Sequence, residues 1–200
     1  MFNNVWKYAT AGIPDELFTT VDGVPLTKQD VRVISLSRLK LMPEMTIWDI
    51  GGGTGSMSIE MAIIAVDSKI YAIEQNLSAV DVMKHNIEKF QVNNVNVIEG
   101  IAPTALSGLP TPQRVFIGGG GASLQSILVS VHNNIASYGI VVVNAVTIET
   151  LADTLKFFEL NDYKNIECIG VSISKAKTLG SRHIFTPNNT VYVISAEKGE

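Results

Sequence analysis

The sequence predicts a doubly wound α/β fold, a mainly parallel seven-stranded sheet with helices on both faces whose last strand pair is antiparallel. Three observations carry this expectation. From residue 46 onward, short apolar segments alternate with stretches of helical periodicity, the pattern of a sheet covered on both faces. A glycine-rich turn, Gly51 to Gly55, directly follows the first of these segments, at the edge where such sheets bind ligands. The last two apolar runs, 166–173 and 191–196, are joined by a 17-residue stretch and suit an antiparallel pair.

Taken in order, Thr27 to Asp30 has the spacing of a capping box and opens a helix through Val31, Ile34 and Leu39. Residues 46–50 form the first strand, and 54–66 a helix through Ile59, Ala62, Ile63 and Val66. After a second strand at 69–74, Ser78 caps a helix with Val82, Met83, Ile87 and Phe90 on one side. Strands at 95–99 and 114–117 precede a helix over 124–138, ended by Gly139. The most β-branched strand, 140–146, is followed by a helix over 149–160.

At 200 residues, the chain 1–200 has the length of one domain with a substantial core. Its longest apolar runs, 61–66 and 140–143, fall far short of the roughly 20 residues of a spanning helix. The first eight residues lack the basic start and apolar stretch of a secretory signal, so a cytoplasmic protein with no membrane partner is expected. Cys168 stands alone, which excludes an internal disulfide and a multi-cysteine metal site; no metal is expected. A net charge of -4 counts against nucleic acid as partner, and any anionic ligand needs local cations.

The turn Asp49-Ile50-Gly51-Gly52-Gly53-Thr54-Gly55 permits close approach of a ligand to backbone. A dinucleotide fingerprint would need glycine at position 56, where Ser56 stands. The Asp49 carboxylate would repel a pyrophosphate but suits an ammonium group, such as that of S-adenosylmethionine. Glu74 ends the second strand about 20 residues after the turn, placed to accept hydrogen bonds from both ribose hydroxyls. Singly, the glycines could be a tight turn and Glu74 a solvated strand end; their joint order favours the cofactor. The loop Gly100-Ile101-Ala102 can pack against an adenine.

The chain resembles the cobalt-precorrin C15-methyltransferases (decarboxylating) of cobalamin biosynthesis, also found as the C-terminal half of a larger fused precorrin methylase. The likeness rests on Gly12-Ile13-Pro14-Asp15 with Phe18, Pro25-Leu26-Thr27-Lys28 with Val31-Arg32, the glycine turn, and Glu99-Gly100 with Ala102-Pro103. It continues through Phe116-Ile117-Gly118-Gly119, Val142 to Val146, and Gly180-Ser181-Arg182-His183 with Phe185. The resemblance implies a Rossmann-like class I methyltransferase fold in which residues 1–26 form a leader covering the active site. It implies that Thr27, Gly51, Gly52, Gly53, Thr54, Gly55, Glu74 and Ala102 contact S-adenosylmethionine, beside Asp49 and Gly100. Ile101 stands where the family has aspartate, leaving any polar contact there to main chain.

The implied substrate is a tetrapyrrole bearing many carboxylates, methylated at C15 with loss of the C12 acetate carboxylate. Lys28, Arg32, Lys175, Lys177 and Arg182 are the cations nearest the shared motifs. Arg182 is the preferred carboxylate holder, and His183 a proton donor to the ring. Gly118, Gly119 and Gly120 would let the flat macrocycle approach the backbone. The resemblance further suggests a homo-oligomer, a tetramer, with the companion C5-methyltransferase as a partner. Two rival readings share the glycine turn: an RNA (tRNA) methyltransferase, against which the acidic balance counts, and a non-catalytic S-adenosylmethionine-binding subunit.

Overall fold

Strands form where β-branched and aromatic residues can be buried on both sides, and the central strands do this most completely. The computed structural model describes residues 5–8, 10–119 and 121–200. In it, β1 (Thr46–Ile50) is buried from Ile47 onward, and β5 (Ile140–Ala145) along its entire length. Around them lie β2 (Lys69–Glu74), β3 (Val95–Glu99), β4 (Arg114–Ile117), β6 (Tyr163–Val171) and β9 (Val191–Lys198). The seven form one sheet in the order β3-β2-β1-β4-β5-β9-β6, with β3 to β5 parallel and β9 antiparallel to both β5 and β6. This is the predicted doubly wound sheet with its antiparallel end.

Period-two alternation distributes the strand side chains between two cores. Trp48, Ile50, Val115, Ile117, Val141 and Val143 pack beneath α4 (Leu124–Asn134) and α5 (Ile148–Leu160). On the opposite face Ile47, Ile70, Phe116 and Val142 meet α1 (Gln29–Leu39) and α2 (Ser56–Ile64). Each large side chain so buried contributes about 1.5–3 kcal/mol. The remaining helix, α3 (Leu77–Lys89), buries Ala79, Val80 and Met83. No described helix is long and apolar enough to cross a membrane.

Several helix ends differ from expectation, each because a distant or neighbouring group does the capping. Thr27 does not cap α1; Asp15 reaches from the leader, its Oδ1 accepting from the Gln29 amide at 2.9 Å. Asn76, not Ser78, caps α3, accepting from the Ser78 and Ala79 amides at 2.9 and 3.3 Å. α4 stops at Asn134 rather than at Tyr138, where Lys198 donates to the carbonyls of His132 and Ile135. α2 spans Ser56–Ile64, inside the predicted 54–66, because the glycine turn is still unwinding at Gly55, φ +81°.

The connector before β9 is not a loop. It folds into a hairpin, β7 (Ser174–Leu179) against β8 (Arg182–Pro187), forming a separate two-stranded sheet. Its residues are exposed on nearly every position, so it lacks the apolar alternation by which a half-buried strand is recognised.

Candidate functional site

Strand order reverses between β1 and β4: the chain leaves β1 for β2 and β3, then returns to β4 on the other side. At such a switch point the two following loops diverge and leave a crevice. A cleft of about 560 Å³ opens there, walled by the glycine turn, Glu74, the 100–102 loop and the loop after β4.

The glycine turn is held from β2, since the Gly51 and Gly52 amides both donate to the Ile73 carbonyl at 2.9 and 3.0 Å. Gly51 adopts φ +77°, and a Cβ on it would lie 3.2 Å from the Gly119 carbonyl oxygen. A Cβ on Gly118 would in turn lie 3.1 Å from the Gly51 oxygen, so the loops after β1 and β4 touch backbone to backbone. Gly53 supports the leader: a Cβ there would be 3.0 Å from the Pro25 carbonyl.

Glu74 is fixed at the cleft wall by two amides. Its Oε2 accepts from Gly53 at 2.9 Å and its Oε1 from Asn76 at 2.8 Å. A carboxylate has about four acceptor positions, so capacity remains for donors in the cleft. Gly100 follows the same edge, its amide donating to the Glu74 carbonyl, and Gly100, Ile101 and Ala102 line the cleft beside it. Thr27 also lines the cleft, with Gly23, Val24 and Pro25 from the segment before it.

Asp49 corrects the expected ammonium contact. Its carboxylate is fully buried beneath the turn, takes a hydrogen bond from the Ser58 hydroxyl, and forms no part of the cleft wall. Burial pushes its carboxyl up to about 6; the Ser58 hydrogen bond opposes the rise and the Glu74 charge adds to it. Thr54 and Gly55 are likewise absent from the wall: Thr54 is buried, and Gly55 backs onto Met83, which a Cβ would meet at 2.7 Å. They shape the entry into α2.

Arg32 is the larger correction, for it cannot hold a substrate carboxylate. It is 0% exposed, donates to Glu60 and Asp15 at 2.8 Å each and to the carbonyls of Ile13 and Thr27, and lies over the Phe18 ring. Glu60 in turn accepts the Gly12 and Ile13 amides at 2.7 and 3.2 Å. A charge expected to meet ligand therefore latches the leader to α1 and α2. A second latch went unforeseen: buried Asn86 exchanges two hydrogen bonds with the Thr19 backbone and donates to the Thr54 carbonyl at 2.9 Å. The readable sign was an amide within the apolar stripe of α3.

Lys28 is exposed, 3.9 Å from Asp15, and outside the wall. Gly118 and Gly119 line the cleft; Gly120 lies outside the described residues. Arg182 and His183 sit on β8, exposed and apart from the cleft wall. Their ladder partners, Leu179 and Thr178, are consecutive, so the two side chains project from opposite faces of the hairpin. Ser56, Asn76 and Ile127 also line the cleft and were not anticipated.

Residues 16–198 match the model of the precorrin methyltransferase domain. The chain is 40% identical over 193 residues to the probable cobalt-precorrin-6B C(15)-methyltransferase (decarboxylating) of Pyrobaculum aerophilum, covering 96% of this chain and 98% of that protein. It is 33% identical over 186 residues to the cobalt-precorrin-6B C(15)-methyltransferase (decarboxylating) of Salmonella typhimurium, covering 93% and 96%. Among solved structures, the precorrin-6y C5,15-methyltransferase from Geobacter metallireducens superposes with a TM-score of 0.89 at 39% identity, covering 94% of this chain and 98% of that one.

Proposed function

The chain belongs to the precorrin methyltransferase domain family, and from that membership we propose that it methylates C15 of a cobalt-precorrin or precorrin ring and removes the C12 acetate carboxylate. The single observation carrying this reading is the cleft itself: an acidic strand end, Glu74, held by two amides beside a glycine turn at the sheet's switch point. The donor set fits S-adenosylmethionine, which when bound supplies an electrophilic methyl group. Glu74 offers its free lone pairs to the ribose hydroxyls, while Gly51 to Gly53 bring backbone against the ligand. Gly100, Ile101 and Ala102 pack along the adenine, and Thr27 closes the wall opposite. Asp49 acts from below the turn, through its shape and field and not by contact.

The chain's task at the reacting carbon is alignment and exclusion of water, since the conjugated ring can take up the electrons released by decarboxylation. The ring's carboxylates need cations, and Lys28, Lys177 and Arg182 are the candidates left after Arg32 and Lys175 are spent on Asp15, Glu60 and Asp30. His183, on the other hairpin face, serves a different contact from Arg182. Chain 1–200 acts as one domain in this reading, within a homotetramer and beside the C5-methyltransferase.

Incubation with cobalt-precorrin-6B and methyl-labelled S-adenosylmethionine tests it. The expected product gains one labelled methyl and loses one carbon dioxide by mass. Label in RNA, or cofactor binding with no transfer to any ring, would overturn it.

A further inference from the structure

Gly119 has no structural reason to be glycine. Among the described glycines it alone combines an ordinary φ with open space where a Cβ would stand: beyond its chain neighbours, no atom of a described residue lies within 4 Å of that position. Glycine costs conformational entropy on folding, so an unexplained one beside a cleft marks room kept for something outside the chain. The neighbouring strand supplies the other half of the observation. In the parallel register Ile117 pairs with Val143, so the loop holding Gly119 and the segment holding Val146 leave adjacent strands at the same edge of the sheet. Val146 is 70% exposed and Ile148, the first residue of α5, is 81% exposed, both at the carboxyl edge of the sheet. Tyr192, paired with Ala145, continues this edge with its ring against Gly170.

We propose that Val146 and Ile148 form an apolar shelf carrying the flat face of the macrocycle, which reaches the cofactor cleft across Gly119. The inference rests on the function proposed above and places its substrate. Two apolar side chains at this edge lose water against a ligand with a broad non-polar face, while carboxylates at the ligand's rim stay free for cations. The cleft holds the cofactor on the β1 side; the shelf lies on the β5 side, and Gly119 is the open ground between them.

The test uses the full-length protein and uroporphyrin, a flat tetrapyrrole with acetate and propionate groups, followed by fluorescence anisotropy. Val146→Asn with Ile148→Asn removes the apolar face without adding charge, and Gly119→Val fills the open ground. Both should weaken uroporphyrin binding at least tenfold, with thermal midpoints unchanged. The Asn pair should leave S-adenosylmethionine affinity within twofold by calorimetry. Val66→Asn, a single change of the same kind at the amino edge of the sheet, serves as control and should leave ring binding within twofold. If the wild type binds the ring and the variants bind it equally well, the shelf is wrong while the substrate class stands. If the wild type binds no ring, the shelf falls, while the proposed function is decided by methyl transfer to cobalt-precorrin-6B. If the Asn pair alters only the oligomeric mass by light scattering, the surface is a contact between copies and the inference is overturned.

Discussion

The glycine turn and the β7–β8 hairpin are held in opposite ways. The turn is tied to β2 by two amide bonds, backed by Met83 and overlain by Pro25, and every residue from Asp49 to Gly55 answers to a neighbour from another element. The hairpin answers mainly to itself: its ladder is internal, and its attachment among the ion pairs is that of Lys175 to Asp30 at 3.1 Å. The cleft wall, whose carboxylate is fixed by two amides, is built on buried, cross-linked backbone, whereas the exposed cations of β7 and β8 sit on a strand pair that can change at little cost to the core.

The sharpest way to break the first half of that comparison is to cut the latch. Arg32→Ala leaves Glu60 buried and unpaired, and should destabilise the fold by about 3–5 kcal/mol. Chemical denaturation measures this, and proteolysis should cut within residues 12–27. A loss under 1 kcal/mol would mean that the leader does not depend on the latch.

Asp49→Asn sharpens it next. The folded carboxyl titrates near 6, above its ordinary 3.8, so the charged form is disfavoured by folding. The contribution of Asp49 is therefore most favourable below the unfolded value and is lost as pH rises through about 6. Relative to wild type, Asp49→Asn should gain stability between pH 4 and 7, reaching on the order of 3 kcal/mol. Parallel stability profiles for the two proteins across this range would show that Asp49 is not strained by burial.

Glu74→Ala should weaken S-adenosylmethionine binding by about 2 kcal/mol, the scale of charged hydrogen bonds to two hydroxyls, in a folded protein. Part of that loss would come from freeing the Gly53 amide, so Glu74→Gln, which retains one acceptor, should recover some affinity. Equal affinity in wild type and Glu74→Ala by calorimetry would place the ribose elsewhere.

The smallest effect belongs to the hairpin. Arg182→Ala should leave unfolding free energy within about 0.5 kcal/mol, as for other exposed positions, yet slow methyl transfer to the ring about fivefold, ~1 kcal/mol on the barrier. Transfer within twofold of wild type would remove Arg182 from the substrate site. Unfolding of the variant would instead contradict the hairpin's independence.

Local chemistry made the fold readable from the sequence, together with the glycine turn and the acidic strand end that wall the cleft. Strand and helix periods are set by neighbours two to four residues away, a glycine run can only be a turn or a close approach, and Glu74 is located by counting along one βαβ unit. Only the tertiary structure decided what the charged and amide groups do. Nothing local to Arg32 showed that Glu60, 28 residues on, would pair with it in the interior. Asn86 meets Thr19 across 67 residues, and Asp49 lies beneath the turn instead of in the cleft because strand alternation turns it into the core. The hairpin was invisible for the converse reason: with both faces exposed, β7 and β8 leave no hydrophobic period to read, and their pairing exists in the backbone alone. A polar side chain's role depends on which distant group desolvates or pairs it, and that is settled when the elements pack.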